Sequence, residues 1–161
     1  MRRGGVAPPP VGYLRAVSTT TRLVHASPTR VWEVLADGWL YPLWVVGASR
    51  IREVEDGWPA VGARIHHSVG AWPLLIDDNT EVLGCEAERV LELRARAWPT
   101  GEAFVRIRLT PLGDETEVTI EEDASSGPAT LIPQPLRTPP LHWRNVETLR
   151  RLAYLAERRA S

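Results

Sequence analysis

The chain contains no lysine: all 19 of its basic residues are arginine. That excludes any mechanism that needs a Schiff-base lysine. A single cysteine, Cys85, excludes an intramolecular disulfide and any cysteine-rich zinc site, which suits a reducing interior. Excess charge of either sign is also missing, since the 20 acidic residues leave a net charge of -1. Nothing global therefore draws the chain to a phosphate backbone or to anionic lipid. No apolar run approaches the roughly 18 residues a membrane span needs. Arg2 and Arg3 open the sequence, but three consecutive prolines follow in place of an apolar segment, so the start does not read as a secretory signal. These absences lead to the expectation of a cytoplasmic protein that inserts in no membrane stably and binds no nucleic acid. Glycine-rich phosphate loops, the Gly-x-Ser-x-Gly elbow and His-Glu-x-x-His are missing too. No cofactor and no metal are called for, and an enzyme built here would have to work by acid/base or template catalysis.

What is present is an ordinary globular composition with an unusual wealth of tryptophan, seven in 161 residues. Wide flat side chains commonly line concave apolar sites, although each one also serves as plain core. Residues 1–16, rich in proline and glycine, read as a flexible tail, and 17–161 as one domain. Residues 18–26 are β-branched and read as a first strand. Ser27 is a good N-cap and Pro28 suits a first helical position. Val31, Trp32, Val34 and Leu35 form a helical stripe that Asp37 and Gly38 stop. The run WLYPLWV predicts a second short helix packed by its aromatic side chains.

About eighty residues of strand and hairpin signals follow, with expected strands over 48–55, 62–69, 74–86, 89–97, 103–109 and 117–124. Short connections such as Trp98-Pro99-Thr100-Gly101 and Gly113-Asp114 make neighbouring strands antiparallel. In the last two strands the faces separate: Val105, Ile107, Leu109, Val118 and Ile120 on one side, Arg106, Arg108, Glu117 and Glu121 on the other. Arg94 and Arg96 join the outer set, where cross-strand ion pairs explain the pattern better than nucleic-acid binding does. After an irregular stretch over 125–135, a helix is expected to begin beyond Pro139-Pro140. Its stripe of Leu141, Asn145, Leu149, Leu152 and Ala156 is to cover the sheet.

Four segments carry a resemblance: ASPTRVWEVLAD after the first strand, GARIHHS on a middle strand, TEVTIEEDASSGP before the irregular stretch and RNVETLRRLAYLAER on the last helix. In this order the chain resembles the START-related helix-grip superfamily over roughly residues 17–159. Within it, the nearest likeness is to bacterial polyketide cyclase/dehydrase and lipid-transport-like proteins. The resemblance implies an α+β helix-grip fold: a curved antiparallel sheet of about seven strands around a long C-terminal helix, with two short helices after strand 1. It also implies a cavity between sheet and helix for a small hydrophobic or aromatic molecule. No catalytic triad transfers residue by residue, and a homodimer is left open. The expected ligand contacts from the first part of the chain and the sheet are Trp44, Ile65, Trp72, Val105, Ile107 and Ile120. From the helix they are Leu141, Asn145, Leu149 and Leu152.

Three polar side chains are candidates for moving a proton in that cavity. Glu122 continues the inward phase of Val118 and Ile120, so its carboxylate is an acid/base group, a ligand anchor, a partner for Arg144 or Asn145, or the water-exposed end of a strand. His66 and His67 leave opposite faces of a strand, which defeats a metal site built from the pair. By phase with Ile65 and Val69, His67 faces inward, as a catalyst or as a hydrogen-bonded core histidine. Asp78 shares the phase of Trp72, Leu74 and Ile76 and either faces inward or lies on a solvated strand edge, whereas Asp77 faces out. His25 and His142 have no partner legible in the sequence. Three functions follow: binding of a hydrophobic molecule, a polyketide cyclase or dehydratase reaction, or a protein-interaction module whose cavity has collapsed.

Overall fold

A computed structural model of the chain describes residues 18–69, 73, 76–97, 101–126, 131 and 133–158. The expected N-terminal tail, Trp72, Leu74 and most of the Trp98–Gly101 turn lie outside the described residues. Strand β1 (Ser18–Val24) leads into helix α1 (Pro28–Ala36), a single 3-10 turn (Gly38–Leu40) and helix α2 (Tyr41–Trp44). Strands β2 (Ala48–Val54), β3 (Arg64–Val69), β4 (Ile76–Glu86), β5 (Val90–Ala97), β6 (Gly101–Leu112) and β7 (Glu115–Ser126) follow, and helix α3 (Gln134–Arg158) ends the chain.

The sheet order is β1-β7-β6-β5-β4-β3-β2, antiparallel throughout. Six consecutive strands meander because their connections are too short for a crossover. Gly113, at a φ of 63°, opens the two-residue loop between β6 and β7, a conformation that a side chain would strain. β1 then closes on β7, which leaves α1 and α2 to bridge the two edges. They and α3 pack on the concave face of the curved sheet.

Local chemistry sets these elements. The Ser27 side chain accepts from Arg30 N–H, and Val31, Val34 and Leu35 are buried along one stripe. Asp37 ends α1 and caps the following turn, its carboxylate accepting from Trp39 N–H at 3.1 Å. Gly38 is needed there for space: a Cβ would stand 2.7 Å from Val54 Cγ1 and 3.2 Å from Ile65 Cδ1. Gly38→Ala is therefore expected to cost about 1–3 kcal/mol, read as a lowered thermal midpoint. A variant melting with the parent would mean that this contact is not tight.

The alternation of β6 and β7 separates a dry face from a charged one. Val118 pairs with Leu109, Ile120 with Ile107 and Glu122 with Val105. The outer arginines are tied to glutamates: Arg94 to Glu81 at 2.8 Å, Arg96 to Glu102 at 2.8 Å, Arg106 to Glu92 at 2.7 Å and to Glu121 at 3.5 Å. α3 departs from expectation at its start. It begins at Gln134 and runs through Pro139 and Pro140 instead of starting after them. Each proline removes an N–H from the helical ladder, leaving the carbonyls of Pro135 and Leu136 without donors. Both residues are exposed, so water can take the place of those donors. Among the described residues no helix is long and apolar enough to cross a membrane.

Candidate functional site

Between the concave face and the first half of α3 lies a cavity of about 430 Å3. Its floor is a set of cross-strand rows. Leu93, Val105 and Glu122 stand in register across β5, β6 and β7, with Ile107 and Ile120 in the next row. On the other side of Leu93 and Val105, alanines oppose each other, Ala95 against Ala103. Two small side chains where the neighbouring rows carry leucine, isoleucine and valine leave part of the space open. Trp44, Val45 and Val46 form one wall, and Leu141, Arg144, Asn145 and Thr148 of α3 form the roof. Leu136 and Pro140, both exposed, mark the mouth.

The polar groups in this apolar shell are few. Glu122 is 3% exposed, and its Oε1 accepts a hydrogen bond from Nη2 of Arg144, whose outer part reaches solvent. A carboxylate in so dry a place needs a cation, and Arg144 supplies it from the roof. Asn145 is buried beside the pair, with no hydrogen-bond partner for its amide nitrogen among the described residues. The same is true of the Trp44 indole nitrogen. Thr148 Oγ1 accepts from Val46 N–H at 3.3 Å and ties the roof to the wall.

Of the expected ligand contacts, Trp44, Val105, Ile107, Ile120, Leu141 and Asn145 line the cavity. Ile65, Leu149 and Leu152 do not; they are fully buried in the core away from it. Ile65 reaches toward Gly38, and Leu149 and Leu152 lie beyond Thr148, where α3 also packs on α1. Trp72 lies outside the described residues.

The three acid/base candidates are not brought together. Only Glu122 lines the cavity; His67 and Asp78 are buried behind it, opposite each other on β3 and β4. Asp77 faces out and pairs with Arg52 at 3.4 Å, while His66, on the far face from His67, contacts Glu55 at 3.3 Å. His25 pairs with Glu115, and His142 Nδ1 lies 3.2 Å from Thr20 Oγ1. Sequence reasoning also missed Tyr41. It lines the cavity, is 4% exposed and holds Thr80 Oγ1 at 3.0 Å from its hydroxyl. Burial pushes its phenol up to about 12, so it stays protonated. Its partners come from distant strands, and no local signal marks it.

Such a site can enclose an apolar molecule and offer it one polar corner; among the described residues, no three His, Cys, Asp or Glu side chains converge as metal ligands. The fold matches that of an aromatase/cyclase from a Streptomyces species, 20% identical, with a TM-score of 0.64 over 89% of this chain and 94% of that one. A Nitrosomonas europaea protein is 17% identical, with a TM-score of 0.67 over 88% and 94% of the two chains. A Thermus thermophilus protein is 15% identical, with a TM-score of 0.65 over 89% and 99%. No curated protein sequence matches the chain significantly. Residues 15–156 match the family described as polyketide cyclase / dehydrase and lipid transport. With nearly the whole chain covered by that match, and the helix-grip architecture in place, the protein belongs to the polyketide cyclase/dehydrase and lipid transport family.

Proposed function

We propose that the protein binds a small hydrophobic or aromatic molecule in the cavity between the sheet and α3. The observation that carries this reading is the cavity of about 430 Å3 with largely apolar walls, where the two lining carboxylates, Glu122 and Glu102, are held by Arg144 and Arg96. A ligand there gains about 25 cal/mol for each Å2 of apolar surface taken from water. Arg144 and Asn145 are the polar anchors: the guanidinium has donors beyond the one given to Glu122, and the Asn145 amide nitrogen has no partner among the described residues. An open cavity of this size also weighs against an interaction module with a collapsed interior.

The test is displacement of a neutral, environment-sensitive dye such as Nile red by a hydrophobic ligand, in the parent and in Ala103→Trp. A tryptophan at 103 projects into the cavity beside Ala95. It is expected to weaken dye binding at least tenfold, the equivalent of about 1.4 kcal/mol, with the melting transition retained. Equal binding in both proteins would place the dye elsewhere and sink the proposal.

A cyclase or dehydratase reaction is the second reading, favoured by the Glu122 carboxylate in the cavity wall and by the likeness to an aromatase/cyclase. With His67 and Asp78 behind the wall, Glu122 would be the group that moves a proton, while the cavity shapes the substrate and excludes water. Turnover of an aromatic precursor that collapses in Glu122→Gln, with dye binding intact, would move the assignment to this reaction.

A further inference from the structure

Tyr41 forms part of the cavity wall, but its hydroxyl is engaged by Thr80, which does not line the cavity. Thr80 Oγ1 is also 3.0 Å from His67 Nε2. The imidazole and the Tyr41 ring are stacked, with centroids 5.6 Å apart and planes inclined by 25°. Trp44 and Trp58 meet the other sides of Tyr41 edge-on, at 5.3 and 6.5 Å. A chain of buried hydrogen bonds thus runs from His67 through Thr80 to an aromatic ring that the ligand would touch.

His67 Nδ1 is buried without a hydrogen-bond partner among the described residues. That fixes the neutral tautomer, because a proton on Nε2 gives Thr80 a donor and leaves only a lone pair at Nδ1. Protonation would add an N–H at Nδ1, which has no hydrogen-bond partner among the described residues, and would put a charge in a dry site. The ring would then have to turn toward Asp78 or water, giving up the Thr80 bond and the stack that hold Tyr41. The charged groups around His67 are Asp78 across the strand pair, Arg52 on β2 and His66 on its own strand; Glu122 and Arg144 act on Tyr41.

We propose that His67 is a positioning residue of the ligand cavity: through Thr80 it holds Tyr41 as a rigid wall, and only its neutral form does so, so ligand is held at neutral pH and let go on acidification. This rests on the ligand-binding reading of the cavity. Burial lowers the imidazole below its ordinary 6.5, with Asp78 acting in the opposite direction. The direction of the effect follows. Binding is full above the ordinary imidazole value and is lost as pH falls through the lowered one.

The experiment is the Nile red dissociation constant between about pH 7.5 and about pH 4, a range carried low because burial lowers this imidazole below its ordinary value, in the parent and in His67→Gln. Glutamine keeps an N–H for Thr80 and does not titrate. The parent is expected to lose roughly three- to tenfold in affinity on acidification, the worth of one neutral hydrogen bond. His67→Gln, which loses the stack whatever its affinity at neutral pH, should show a flat profile. A flat parent profile, or a variant that follows the parent's curve, overturns the proposal. Should His67→Gln not fold by near-ultraviolet dichroism, Thr80→Val carries the test: it cuts the chain between His67 and Tyr41, and an unchanged pH profile overturns the idea equally. Failure of the parent to bind the dye at neutral pH would instead defeat the underlying reading of the cavity, distinguishably from the pH result.

Discussion

Replacement of Leu152 by arginine is expected to abolish folding, not merely to empty the cavity. Leu152 is fully buried on the face of α3 that meets the core, one turn beyond the cavity roof. Leucine to alanine at such a position costs about 2–5 kcal/mol, from lost transfer energy and the hole left behind. Arginine adds a charge in a fully buried position, a further penalty of several kcal/mol. The sum approaches or exceeds the roughly 5–15 kcal/mol that holds a domain together. Urea titrations followed by circular dichroism would read it: Leu152→Ala shifted to a lower midpoint, Leu152→Arg without a cooperative transition. A cooperative, parent-like transition in Leu152→Arg would mean that the helix does not seat this leucine in the core.

The second large effect concerns the two ends of the cavity's ion pair, which should not be equivalent. Arg144→Met leaves the Glu122 carboxylate 3% exposed and without its cation. Removing one partner of a buried pair typically costs 3–5 kcal/mol, and about 3 kcal/mol is expected here because the outer part of Arg144 already meets water. Glu122→Gln is milder, about 1 kcal/mol, since the amide still accepts a hydrogen bond and the guanidinium can turn to solvent. The double variant Arg144→Met with Glu122→Gln should recover at neutral pH. Denaturant midpoints decide this: equal losses in the single variants, or no recovery in the double variant, would contradict the pairing.

Much of the architecture was legible because it is written in short-range patterns. The Ser27-Pro28 start of α1, the stripe of Val31, Val34 and Leu35, and the alternation of Val105, Ile107 and Leu109 each depend only on neighbours in sequence, and each has its expected place in the structure. The start of α3 was misplaced because Pro139-Pro140 is a strong local break signal, whereas packing of the rest of the helix and solvation of the freed carbonyls decide the outcome. At the site, periodicity told which residues face inward but not how far along the fold they sit. Leu149 and Leu152 share the stripe of Asn145, yet the cavity ends near Thr148. His67 and Asp78 point inward as their phase requires, but the Tyr41 ring stands against His67 on the inner side. Tyr41 itself was invisible as a site residue, since its role comes from Thr80 and His67, 39 and 26 positions away in the sequence.

The most direct test of the central claim uses the tryptophans themselves. Each of the seven indoles gives its own N–H resonance. The Trp44 indole belongs to the cavity wall and has no hydrogen-bond partner among the described residues. Trp39 and Trp143 are 60% and 69% exposed on the surface. Saturation of the isotopically labelled protein with a neutral aromatic ligand should move the Trp44 resonance strongly and leave those of Trp39 and Trp143 in place. Shifts confined to Trp39 or Trp143, with Trp44 unmoved at saturation, would put the ligand on the surface and contradict the account.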